Sequence, residues 1–234
     1  MKKIIQRADE RGVTELVWLH SRHSFSFGQY YNPMKERFGL LRVLNDDMVE
    51  PGEGFGTHAH DNMEIISIVL KGQLKHRDSM GNGSVINEGE IQVMSAGTGI
   101  THSEFNPSES DRVNFLQLWI FPRETGIKPR YDQRKFNISE NEIIKIVSGE
   151  KSDNALYINQ DSSIFFGRFN EKKDLTFKID KKGYGAYLFI LEGSVILNGD
   201  TLQRRDAAGI SETDSFIITT DAQSEFLIIN VPMN

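Results

Sequence analysis

The chain has no cysteine. That excludes disulfides, thiolate metal ligands and a cysteine nucleophile, and it fits an intracellular protein. Histidine is scarce: there are six in 234 residues, and the last is His102. No site built on imidazole can therefore lie between Ser103 and Asn234. Long apolar runs are missing too. The longest, such as residues 65–70 and 187–191, fall far short of a membrane-spanning helix. The start carries Lys2 and Lys3 but no apolar segment behind them, so it does not read as a signal peptide. A cytoplasmic location with no membrane partner is expected. An excess of positive charge is also lacking, since the net charge is −6 and the pI is near 5.6. Direct nucleic-acid binding is not expected, and the basic cluster at 128–135 reads as a solvated linker. Helical periodicity is sparse. Residues 35–37 and 139–146 could each make a turn or two.

What remains is strand. Apolar stretches rich in Val, Ile, Phe and Tyr alternate with Gly, Asn and Asp at 38–44, 64–70, 91–95 and 114–121. They recur at 164–169, 184–191, 194–197, 215–220 and 225–231. The order repeats as well. An apolar strand leads to a glycine turn (Gly72, then Gly193), a second glycine (Gly89, then Gly209), and a long return ending at Pro122 or Pro232. This predicts an all-β chain of two tandem β-barrels with few short helices. The N-terminal barrel should span 1–130 and the C-terminal barrel 140–234, with the linker within 123–139. One continuous β-sandwich is the alternative.

Chemistry concentrates in two short patterns. The first is G-x5-H-x-H, running Gly52, His58, His60; the second is H-x-E, His102 and Glu104, after Gly97-Thr98-Gly99. Residues i and i+2 on a strand share a face. Two such pairs could converge three imidazoles and a carboxylate on one divalent transition metal. A set without cysteine that leaves coordination positions free suits an open, catalytic centre better than a closed structural one. Gly97-Thr98-Gly99 is not a phosphate loop, because neither a lysine nor a following helix is present. It reads as the tight turn that delivers His102. Glu64 is a rival for the oxygen ligand, because strand parity would place it on the face of His58 and His60.

At this point the sequence resembles the cupin superfamily and, within it, the pirin family, particularly bacterial members with quercetin 2,3-dioxygenase activity. The likeness rests on residues 18–27, 54–60, 76–82, 94–104 and 119–131, and is weak in the second half. It implies a bicupin of two double-stranded β-helix (jelly-roll) barrels, with one metal held by His58, His60, His102 and Glu104. Pirin-like chains use the glutamate two residues after the third histidine, which favours Glu104 over Glu64. Iron is the first expectation; Ni, Mn, Co, Cu and Zn suit the same ligands.

The resemblance further implies an oxidoreductase that cleaves a flavonol heterocycle with O2 and releases carbon monoxide. Glu104 would be the catalytic base and a flavonol-like molecule the partner. The alternative it carries is a non-catalytic, metal-dependent partner of a transcription factor or metabolic enzyme; a zinc isomerase or sugar-binding cupin is a third. Phe55, Met63, Gln117 and Trp119 are candidate pocket walls, and His76 a candidate for orienting a ligand or substrate. His23 reads as packed or hydrogen-bonded rather than ligating.

Overall fold

Apolar stretches and the polar ones between them both fold as strands. The computed structural model describes residues 1–179 and 181–234. Its first half runs through β1 (Lys2–Gln6), β2 (Gly12–Glu15), β3 (Leu19–His23), β4 (Leu41–Val49), β5 (Gly54–His60) and β6 (Glu64–Lys71). It continues with β7 (Gln73–Asp78), β8 (Gly83–Asn87), β9 (Glu90–Ser95), β10 (Ile100–Phe105), β11 (Val113–Ile120) and β12 (Arg130–Lys135). Among the described residues the only helix is a 3-10 turn at Ala8–Glu10.

The expected helical turns do not form. Residues 35–37 lie in a loop, and 139–146 run into the strand Glu142–Ser148. Its β-branched Ile143, Ile144 and Ile146 favour a pleated strand, which pairs with Ser163–Phe169.

A seven-stranded sheet in the order β12-β9-β6-β11-β4-β3-β2 and a four-stranded sheet β5-β10-β7-β8 make up the first barrel. The second half repeats the scheme with its own seven- and four-stranded sheets. Two segments depart from a simple division. β1 pairs with Ala207–Ser211 and so belongs to the larger C-terminal sheet. The basic stretch read as linker supplies β12, an edge strand on β9.

Strand alternation sorts the first barrel's interior into layers. Leu19, Val49, Val69, Leu74 and Phe115 close one end, and Ile65, Met94, Ala96 and Ile100 close the other. A polar row lies between them. His23, Asn45, Gln117, Ser67 and Gln92 are successive register partners across β3, β4, β11, β6 and β9, and all are buried. The outer faces of the two large sheets pack together through one apolar core. Leu44, Ile66 and Leu116 from the first half meet Ile164, Phe166 and Leu227 from the second. Each such side chain contributes about 1.5–3 kcal/mol when fully buried.

Candidate metal centre

β5 and β10 run antiparallel, with Ile100 opposite His60 and His102 opposite His58. The turn before β10 is tied to the end of β5: the Gly97 carbonyl accepts the Asn62 N–H at 2.9 Å. Gly97 has φ +50°, and a Cβ there would come within 2.0 Å of the Ile127 carbonyl oxygen. Only glycine fits that turn without strain. The register then shifts: Glu104 pairs with Phe55, so β5 carries one extra residue over this step. Such a bulge re-aims the side chains that flank it.

The three histidines of the two patterns meet. Their donor atoms all lie within 4.8 Å of one another, and Nε2 of His60 stands 3.1 Å from Nε2 of His102. Nδ1–H of His58 donates to the Gly56 carbonyl at 2.8 Å, which leaves its Nε2 lone pair free. Burial, reinforced by neighbouring imidazoles, pushes His60 down to about 4 and His102 down to about 2. Both are therefore neutral at pH 7, the form that binds metal. Nδ1 of His102 is buried without a hydrogen-bond partner. Two nitrogens about 2.1 Å from one ion at right angles would stand about 3 Å apart, so this cluster fits a transition metal.

Glu104 joins through His102. Together with His76, these two form a second group of donor atoms within 4.8 Å of one another. Ser67 Oγ donates to Oε1 of Glu104 at 3.1 Å, and Gln117 Nε2 donates to Oε2 at 2.8 Å. Burial nevertheless pushes the Glu104 carboxyl up to about 7. His76 is fully buried, with Nε2 3.1 Å from an Asp78 carboxylate oxygen and its ring packed on Tyr131.

Glu64 falls in neither group. A turn at 61–63, with Asn62 at φ +44°, separates β5 from β6, so alternation does not carry from His60 to Glu64. Its carboxylate instead accepts hydrogen bonds from Ser95 Oγ at 2.7 Å and from the Asn159 backbone N–H at 3.1 Å, where the two halves meet.

A cavity of about 610 Å³ opens beside the cluster. Phe55 and Gln117 line it, as do His58 and Glu104. Met63 and Trp119 do not. They pack at the apolar end with Ile65 and Met94, where Trp119 sits edge-on to His60 at 4.9 Å. The cavity is also lined by residues that sequence reading passed over, Thr14, Ser21, Asn45 and Asp47, and by His23. One signal could have found two of these. Asn45 and Asp47 share strand parity with Leu41, Val43 and Val49, all buried.

The pirin profile matches residues 6–120, and that of the quercetinase C-terminal cupin domain matches 145–231. The chain is 39% identical over 228 residues to the quercetin 2,3-dioxygenase of Escherichia coli K12, covering 97% of this chain and 98% of that one. It belongs to the pirin family. A Mycobacterium bovis relative that carries the same name provisionally is 40% identical over 96% of this pirin and 93% of its own length. The crystal structure of the bacterial pirin YhhW from Escherichia coli, in complex with nickel(II), superposes with a TM-score of 0.95. That match is 38% identical and covers 100% of both chains. The fold is accordingly a bicupin, and in this pirin only the first barrel carries imidazoles.

Proposed function

We propose that this pirin is a metal-dependent quercetin 2,3-dioxygenase, which opens the flavonol heterocycle with O2 and releases carbon monoxide. The observation that carries the reading is three converging neutral-type imidazole donors beside a buried carboxylate, at the end of a cavity of about 610 Å³. That volume lies within the usual range for a small-molecule site. The name of the Escherichia coli relative, which aligns along nearly the whole chain, supports the same reaction.

His58, His60, His102 and Glu104 would hold the ion, in the N-terminal unit of the chain. Iron is the first expectation, and nickel in the YhhW complex supports a divalent ion of this series. A bound cation supplies Lewis acidity, which lowers the pKa of the substrate's 3-hydroxyl. Glu104 then accepts the hydroxyl proton. Burial favours the protonated form of this carboxyl, so once loosened from the ion it takes up a proton readily. Ser67 and Gln117 fix its two oxygens, so the base needs little reorganisation. The Phe55 ring, braced edge-on by Trp18 at 5.2 Å, presents an apolar wall to the flat substrate.

The test is elemental analysis of protein purified without added metal, run with quercetin turnover in air and under nitrogen. About one transition-metal ion per chain and oxygen-dependent loss of flavonol absorbance, with carbon monoxide evolved, are expected. His58→Ala should lower metal content and reduce turnover by about two orders of magnitude or more. Flavonol loss that is independent of oxygen, or equal in His58→Ala, overturns the reading.

A further inference from the structure

The cavity beside the histidines has a second polar group. Glu104, Gln117 and His58 line it from β10, β11 and β5; Thr14, Ser21, His23, Asn45 and Asp47 line it from β2, β3 and β4. This second group occupies inward positions that a barrel interior normally fills with apolar side chains. Asn45 and Asp47 are only 2% and 4% exposed.

Asp47 is the sharpest anomaly. A buried carboxylate is ordinarily paired with a cation. The arginines of this region go elsewhere. Arg11 and Arg205 both reach Asp46, on the opposite face of β4, at 3.7 and 2.9 Å. Among the described residues no cation is paired with Asp47, and its side chain lines the cavity.

The neighbours of Asp47 are held in place. Nδ1 of His23 is hydrogen-bonded to Asn45 Oδ1 at 2.8 Å, and Nε2 to Thr14 Oγ1 at 2.8 Å. That bond occupies the amide oxygen of Asn45 and leaves its NH2 as the donor for the cavity. Ser21 stands opposite Asp47 in the β3–β4 register and adds a hydroxyl. Aromatic rings flank the group: Phe27 and Tyr30 lie 5.3 and 6.4 Å from the His23 ring.

The geometry points to a second recognition site, in which Asp47, with Asn45 and Ser21, binds phenolic hydroxyls on a ring of the substrate other than the heterocycle that Glu104 faces. The ligand class is a polyhydroxylated aromatic, with a catechol or resorcinol ring at this end. The Ser21 hydroxyl bonds Asp47, and phenolic O–H groups supply further donors in place of the missing cation, without bringing a second ion into the barrel. A hydrogen bond to this buried carboxyl is lost when the hydroxyl is absent. The assignment deepens the flavonol reading and rests on it for which ring faces Glu104.

The test compares quercetin with 3-hydroxyflavone, which keeps the 3-hydroxyl but lacks the ring hydroxyls. Binding is measured under nitrogen, where no turnover occurs, by quenching of protein fluorescence. The chain has two tryptophans, and both flank the site: Trp18 packs on Phe55 and Trp119 on His60. The wild type should bind quercetin about tenfold or more tightly than 3-hydroxyflavone. In Asp47→Asn that ratio should fall to near one, while metal content by elemental analysis stays at the wild-type level. Asn45→Ala should lower the ratio in the same direction, and serves alone if Asp47→Asn does not fold. An unchanged ratio in either folded variant, a wild type without preference, or a loss that tracks metal content overturns the assignment. The two readings fail separately. A ratio that collapses in protein without oxygen-dependent turnover keeps the hydroxyl site and sinks the dioxygenase. Turnover with an unchanged ratio does the reverse, and absence of binding by both flavonols sinks both.

Discussion

A carboxyl group inside a barrel folds there either neutral or at a cost, and Asp47 shows which. Burial pushes it up to about 7 from an ordinary value of 3.8. Between these two values the folded protein binds a proton that the unfolded chain does not. Stability from this group is present below about pH 4 and is lost as pH rises toward 7. Asparagine does not titrate. The melting temperature of Asp47→Asn, relative to wild type, should therefore rise between pH 4 and pH 8, with chelator present in both to remove metal effects. The gain is bounded at about 4 kcal/mol for a shift of about three units. A difference between the two proteins that stays flat with pH would show that Asp47 ionises freely in the fold. A residue that weakens the fold at neutral pH and lines the site is what a stability-for-function exchange looks like at one position.

At the scale of elements, the site depends on how β10 is entered. Gly97 holds a left-handed conformation, and any Cβ there meets the Ile127 carbonyl. Gly97→Ala should cost about 1–2 kcal/mol from the backbone alone, before the clash is counted. Calorimetry should show a melting temperature lower by at least about 2–4 °C in a chain of this size. Because the same turn ties the start of β10 to the end of β5, metal affinity should fall with it. A variant that melts lower but binds metal as tightly as wild type would separate the turn from the site. The elements themselves were unevenly legible. β4, β6, β9 and β11 announce themselves through alternating or continuous apolar residues, and the residues 94–104 point to the metal cluster through histidine spacing. β5, β7 and β10 are too polar to show as apolar stretches, because their inward positions carry His58, His76, His102 and Glu104 in place of core residues; β5 and β10 are legible only through the spacing of their ligands. The same substitution hid Asn45 and Asp47. Glu64 was misplaced for a different reason: a three-residue turn resets strand parity, and parity arguments hold only within one strand.

For the whole molecule, the second barrel raises a question, since it has no histidine with which to bind a metal. Its packing supplies an answer. The two large sheets share one core, with Leu118 and Ile120 from the first half in the same cluster as Tyr187, Phe189 and Ile229 from the second. Glu64 crosses the same boundary to the Asn159 backbone, and β1 carries the N-terminus onto the edge of the C-terminal sheet. The polar row that holds Glu104 lies on the inner face of a sheet whose outer face is this shared core. The second barrel therefore fixes the sheet from behind, while its own interior is filled by an apolar cluster that includes Leu188, Val195, Phe216 and Phe226. Independent domains would melt separately; halves bound by a large shared core should melt together. Differential scanning calorimetry should show a single transition whose calorimetric and van't Hoff enthalpies agree. Removing residues 1–7 should lower its temperature without splitting it, although the strand deleted lies in sequence beside the first barrel and in space beside the second. Two resolved transitions, or a soluble and folded fragment ending before residue 140, would mean that the shared core does not bind the halves into one unit. The metal centre would then have to be supported by the first barrel alone.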